Sequence, residues 1–392
     1  MCSSDLTVYV AVDGGDWTIW QRQTTDSFAV FQGEAGKRYE FIAVSTDNAG
    51  NQERPATAVS LPSDGSQPNL GTLPQLGSTT QDIGAPPAPS DSTSTNALFV
   101  AAKQGIPAGA SSRPSQFDWV LAPFKAEVFG TGVQQSYAGI GPLAILVNPD
   151  GSVTVSGGFN RGQLYRFDKF GGRVLNPVAQ LEQPVYAMAF DLDGQLWATT
   201  GGGTLLQLDP VTYAVLGSYG ESLTQALAVD PASGLLFVSS GDGIEIFDPA
   251  THAFTHFSNY RVDDLAFSPS GKLWGTSWPD RGTVVSFDNR GRAAAELAFD
   301  DAVDSLAFGK AGTSSAGLLF LSTQPRPGVA GGANLIMVDL ATRQRLNVAS
   351  GGPLAEDLVF TAEGRLLVAN SQQVDVVMPV TPPNIKIGRA HV

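Results

Sequence analysis

Acidic side chains gather at three places with matching surroundings. Asp263-Asp264 precedes Leu265-Ala266-Phe267, Asp304 precedes Ser305-Leu306-Ala307-Phe308, and Glu356-Asp357 precedes Leu358-Val359-Phe360. If the fold brings these stretches to one opening, the carboxylates repel one another, and a hard cation such as calcium would relieve the repulsion. Asp264, Asp304 and Asp357 are the favoured ligands, with Asp263 and Glu356 beside them, because the second position of each pair is expected to point inward. A second set falls in loops: Asn160, Arg161, Asp242, Trp278, Asp280, Arg281 and Asn370, with Arg326. An aromatic ring, guanidiniums and acidic groups around a pit could recognise a sugar or a peptide. Both sets have a plain alternative, since Asp is common at strand starts and Arg and Trp are ordinary loop residues.

Enzymatic constellations are sparse. No Gly-x-Ser-x-Gly occurs, so there is no nucleophile elbow. His252 and His256 flank Phe254 in what reads as an outer strand, away from any channel, and are expected to be structural or surface residues. The clusters Gly157-Gly158, Gly201-Gly202-Gly203 and Gly331-Gly332 punctuate loops and open no helix, which argues against a phosphate cradle. The net charge of −14 argues against nucleic acid, whose phosphates need a Lys/Arg surface. No apolar run reaches the roughly 18–20 residues that span a bilayer.

The elements that must position these side chains repeat. With 44 Gly, 25 Pro and only 15% charged residues, the composition suits short strands joined by tight turns. Val147, Phe190, Val229, Phe267, Phe308 and Phe360 end six similar apolar stretches, most of them followed by a glycine turn, at spacings of 43, 39, 38, 41 and 52 residues. Each repeat continues with a second strand such as Leu196-Trp197-Ala198-Thr199. A third strand ending in Asp follows, as in Leu164-Tyr165-Arg166-Phe167-Asp168 or Ile244-Glu245-Ile246-Phe247-Asp248, and then a turn and a fourth strand. Four antiparallel strands at a period near 40–50 make one blade of a β-propeller. The sixth repeat has only three strands, ending in Val374-Asp375-Val376-Val377-Met378. An orphan strand at 126–132 precedes the first repeat, and donating it to the sixth closes the ring without an exposed edge.

The reading is therefore an all-β chain with a six-bladed β-propeller at 97–380. Gly141-Pro142-Leu143-Ala144-Ile145, Pro149-Asp150-Gly151-Ser152-Val153 and Leu164-Tyr165-Arg166-Phe167-Asp168 resemble the NHL and SMP-30 (gluconolactonase-like) superfamily. In that resemblance calcium is held by Glu, Asn and Asp from different blades, which implies a lactonase or hydrolase at the channel mouth. The related quinone-dependent dehydrogenases and streptogramin lyases use a histidine that nothing here supplies.

Residues 7–60 alternate as Thr7-Val8-Tyr9-Val10-Ala11-Val12 and Tyr39-Glu40-Phe41-Ile42-Ala43-Val44, with four or five strands expected. The stretch from Gly36 to Asn51 resembles strand F of a fibronectin type III or Ig-like β-sandwich, which makes Tyr39 its tyrosine-corner residue. Its first strands are expected to be missing by truncation. Residues 61–96, rich in Pro, Ser and Thr, read as a disordered linker, and 381–386 as the start of another. Residues 1–6 and 387–392 resemble translated sequencing adapter and are excluded from the fold. Without them the chain keeps no cysteine and two histidines, so disulfides and thiol chemistry drop out. The functional expectation is a non-enzymatic binding or scaffold module of a large secreted or cell-surface multidomain protein, bacterial in type. It would make adhesive contact with a protein or carbohydrate ligand through the channel face and lie beside further domains of the same chain. A calcium-dependent lactonase or hydrolase is the alternative.

Overall fold

The computed structural model describes residues 5–24, 29–46, 83–109, 111–136, 139–279, 281–324 and 332–380. The chain divides into two compact units, 1–80 and 81–392.

In the first unit Asp5–Val12 runs between Thr18–Thr24 and Tyr39–Thr46 in one antiparallel sheet. Three strands are thus described here, and residues 25–28 and 47–60 of the expected module lie outside the described residues. Alternation buries Tyr9 and Val44 on the core side, while Trp20, Phe31, Phe41 and Tyr39 form an edge-to-face aromatic cluster. Tyr39 Oη accepts the Glu34 backbone N–H at 2.7 Å. A Cβ at Gly33 would stand 2.7 Å from the Tyr39 ring, so this close approach needs glycine. Asp5 and Leu6 belong to the central strand, although the adapter reading excluded them. Residues 387–392 and 61–82 lie outside the described residues.

The second unit is a β-propeller with six blades among the described residues. Blade 1 runs outward through Ile145–Val147, Val153–Gly157, Gln163–Phe167 and the short Ala179–Gln180. Blade 2 begins with Ala187–Phe190, Leu196–Thr199 and Gly203–Leu208. The long strand Val215–Val229 is its outer edge and then turns in to become the innermost strand of blade 3. Gly220, at φ +73°, sits at that corner. Blade 3 continues with Leu236–Ser240, Gly243–Asp248 and Ala253–Ser258. Blade 4 holds Val262–Phe267, Leu273–Ser277, Thr283–Phe287 and Ala293–Ala298. Blade 5 holds Ala302–Phe308, Leu318–Gln324, Ala333–Asp339 and Arg345–Gly352.

Blade 6 is built from Ala355–Phe360, Leu366–Asn370 and Val374–Pro379, and its outer strand is the N-terminal Phe124–Thr131. Val376 pairs with Glu127 and Met378 with Lys125, so the two ends of the ring are stitched by main-chain hydrogen bonds. Innermost strands of successive blades touch, and that of blade 6 touches that of blade 1. The repeated Asp at the end of the third strand folds the next turn rather than serving chemistry. Asp209 accepts the N–H groups of Val211 and Thr212, and Asp248 and Asp339 behave alike.

The segment expected as a linker up to 96 departs from its composition. The Ile83 carbonyl accepts the Ala295 N–H on the outer strand of blade 4, and the Ser90 N–H bonds the Thr342 carbonyl of blade 5. Asn96 caps the helix Ala97–Lys103 by accepting the Phe99 N–H, while its Nδ2 donates to the Ala316 carbonyl. Leu98, Phe99 and Ala102 are buried in the core shared by blades 5 and 6. A polar, proline-rich strap orders here because outer blade edges and turns supply partners for its backbone groups.

Candidate functional site

Hydroxyls near the end of the second strand tie blade to blade. Ser156 Oγ accepts the Ala144 N–H and donates to the Val185 carbonyl of blade 2. Thr199 accepts the Ala187 N–H and reaches the Gln225 carbonyl of blade 3, and Thr276 links Asp264 N–H to the Asp304 carbonyl of blade 5. These bonds fix the entry to each innermost strand, where the acidic residues stand.

The five acidic residues expected at the strand starts all border one pit of about 80 Å³. Leu143, Tyr186, Ala187 and Gln225 complete its wall. The pit has room for a few water molecules or one small head group. Within it, both positions of each acidic pair border the pit, and they do different work. Asp264 Oδ2 accepts from the Ser305 hydroxyl at 2.7 Å and the Leu306 N–H at 2.9 Å, both on blade 5. Ser305 Oγ in turn accepts the Leu358 N–H of blade 6, and Asp357 Oδ2 accepts the Ile145 N–H of blade 1 at 2.7 Å. Second-position side chains are therefore latches from one innermost strand to the next.

First-position side chains meet the guanidiniums. Asp263 and Asp304 are buried, and the Arg281 guanidinium lies against both, with Nε 3.3 Å from Asp263 Oδ2. Gln225 donates its amide to Asp263. Arg281 leans on the Trp278 ring, 5.6 Å from its centroid. On blade 1, Arg161 donates to Tyr186 Oη at 2.7 Å and lies over that ring, and its charge reaches Glu356. Two guanidiniums, each held by an aromatic ring, thus flank five carboxylates.

Burial raises the carboxyl of Asp357 to about 8, helped by the charge of Asp264, and raises Asp264 to about 6. Burial also raises Asp263 and Glu356, against the pull of Arg281 on the first and of Arg161 and Arg281 on the second.

The expected calcium does not fit this arrangement. Calcium takes six to eight oxygen ligands. Here Arg281 occupies the space between Asp263 and Asp304, while Asp264 and Asp357 spend oxygens on backbone N–H groups. Among the described residues, no group of three or more His, Cys, Asp or Glu side chains is placed to hold a metal ion.

The loop residues divide. Arg161, Trp278 and Arg281 flank the pit, whereas Asn160, Asp242 and Asn370 do not serve it. Asn160 pins its loop to the Leu181 and Glu182 carbonyls. Asp242 is exposed, and its charge acts on His256 in the outer strand of blade 3. Asn370 is buried and donates to Asp375 at 2.7 Å. Asp280 and Arg326 lie outside the described residues. His256 contacts Glu245 and Asn259 on the outer strand, and His252 packs against Tyr219 and Phe247. Tyr186 and Gln225 were missed as site residues, although the repeat alignment sets them at the same lead-in position as Asp263 and Glu356.

No family model matches the sequence, and no curated protein matches it. Among solved structures, virginiamycin B lyase from Staphylococcus aureus is similar at 11% identity and a TM-score of 0.45, over 66% of this chain and 100% of that one. A streptogramin B lyase is similar at 13% identity and a TM-score of 0.44, over 65% of this chain and 97% of that one. The extracellular domain of a hybrid two-component system from B. thetaiotaomicron gives 12% and 0.44, over 64% of this chain and 34% of that one. No helix among the described residues is long and apolar enough to cross a membrane.

Proposed function

We propose that the propeller is a non-enzymatic binding module of an extracellular multidomain protein, and that its channel mouth receives a cationic side chain of a protein partner. The observation that carries this reading is the charge balance of the pit. Five carboxyl groups border it, Asp357 among them raised to about 8, and only two guanidiniums, those of Arg281 and Arg161, act on them. An ammonium or guanidinium group entering beside Glu356 would lessen the repulsion that the remaining carboxylates feel. A pit of about 80 Å³ suits such a head group and excludes a whole sugar ring. The separate small sheet unit, the acidic balance and the Pro/Ser/Thr-rich stretch support a modular, secreted setting.

The test is calorimetric titration of the full chain with N-acetyl-lysine methylamide and, separately, with its uncharged norleucine counterpart and with calcium. The lysine derivative should bind, and Glu356→Gln should weaken it at least about tenfold, the cost of one charge-assisted contact. Equal binding of the norleucine derivative, or an affinity that Glu356→Gln leaves unchanged, overturns the reading. Tight calcium binding abolished by Glu356→Gln would overturn it in favour of a metal site.

A further inference from the structure

A second cavity, of about 600 Å³, lies between blades 4 and 5. Its rim includes the turn at 268–271, which follows the innermost strand Val262–Phe267, whereas Asp263 and Asp264 stand at that strand's start. The cavity therefore opens at the other end of the blades from the acidic pit. Its size is that of a pocket for a small molecule.

The cavity has one charged feature built into its wall. Glu296 is buried and accepts from the Ser286 hydroxyl at 2.6 Å, from Lys272 Nζ at 3.1 Å and from Arg343 Nη2 at 2.5 Å. Both carboxylate oxygens are engaged, while the cations keep free donors. Lys272 spends one of three donors on it and Arg343 one of five, and both side chains remain partly exposed. Asp339 also borders the cavity, yet its oxygens are taken by the Ala341 N–H and the Thr342 hydroxyl. Around the cations the wall is apolar, formed by Trp274 and Leu297 among others, with Trp274 set edge-on against Phe308. Thr95 and Ser270 also border the cavity, the Ser270 hydroxyl paired with that of Ser268 at 2.9 Å.

We propose that this cavity binds an acidic saccharide. The carboxylate of a hexuronate residue sits between Lys272 and Arg343, on the donors that these two side chains do not spend on Glu296. The C–H face of the pyranose ring lies against the Trp274 and Leu297 wall, and ring hydroxyls meet Ser270, Thr95 and the remaining guanidinium N–H groups. A fatty acid would satisfy the cations but leave those polar groups facing hydrocarbon, which is costly. The inference is independent of the channel mouth, because it uses none of its residues.

The experiment is titration of the full chain with trigalacturonate, with maltotriose as the neutral saccharide and octanoate as the non-saccharide acid. Trigalacturonate should bind, weakening as salt rises because the contact is ionic. Lys272→Gln should cost about tenfold or more, and leaves Glu296 with Ser286 and Arg343 as partners. Ser270→Trp, at an exposed rim position, should block the cavity, with thermal unfolding checking that both variants stay folded. Glu356→Gln at the channel mouth should change nothing here. Equal binding of maltotriose would overturn the role of the cations, and binding of octanoate alone would overturn the saccharide class. Absence of binding, or binding that Ser270→Trp does not reduce, would overturn the site.

Discussion

Replacing Asp357 with Asn should stabilise the protein at neutral pH, although it alters a side chain that bonds blade 6 to blade 1. In the folded chain burial and the neighbouring Asp264 raise this carboxyl to about 8, whereas an unfolded chain holds it near about 3.9. A carboxyl that binds its proton more tightly when folded adds stability that is fully present below the unfolded value. That stability is lost as the pH rises toward the folded value. The slope is at most about 1.4 kcal/mol per pH unit, so between pH 4 and pH 7 the wild type gives up about 4 kcal/mol. Asn carries no charge at any of these pH values, and its Oδ1 can still accept the Ile145 N–H that Asp357 Oδ2 accepts at 2.7 Å. The gain of Asp357→Asn over wild type should therefore be near zero at pH 4, rise steadily, and level off near pH 8. Urea unfolding of the full chain at pH 4.5, 6, 7 and 8.5, read as midpoint and slope, measures it. Because Asp264 contributes to the shift, Asp264→Asn should shrink the gain, and the double variant should be non-additive. A variant less stable than wild type at pH 7, or a gain that does not change with pH, would refute the latch argument.

The strap that precedes the blades should be worth as much as a core element. Phe99 is 1% exposed, so Phe99→Ala should cost about 3–5 kcal/mol in the same urea assay; a cost under about 1 kcal/mol would mean that the helix Ala97–Lys103 is not integral to the propeller. On blade 3, contact with Glu245 raises the His256 pKa above its usual value. In NMR titration Glu245→Gln should bring it down toward about 6.5, and an unchanged midpoint would show that the pair does not form.

The repeat of apolar stretches and glycine turns was enough to read six blades and the donated strand, because both rest on local periodicity and on counting strand edges. The same alignment placed Asp263, Asp304 and Glu356 at equivalent lead-in positions, and Tyr186 and Gln225 with them. A strand alternates its side chains between two faces, so alternation separates Asp263 from Asp264 but does not say which face meets the axis. That was decided by packing between blades. The innermost strand of the next blade offers unpaired N–H groups at Leu306 and Ile145, and burying these without a partner would be costly, so Asp264 and Asp357 turn to them.

Asn370 and Asn160 illustrate the same limit. Both sit in loops or strand ends that composition marks as available for ligand, yet one is buried on Asp375 and the other pins a carbonyl pair. Residues 83–96 show the reverse case, in which a composition unfit to form its own core is ordered by edges that the blades present. What the sequence determined by itself is the architecture, because strand, turn and repeat are written in short-range patterns. What only the tertiary structure decided is the use of each polar side chain, because a hydrogen-bond partner or a neutralising charge such as Arg281 arrives from a blade distant in the chain.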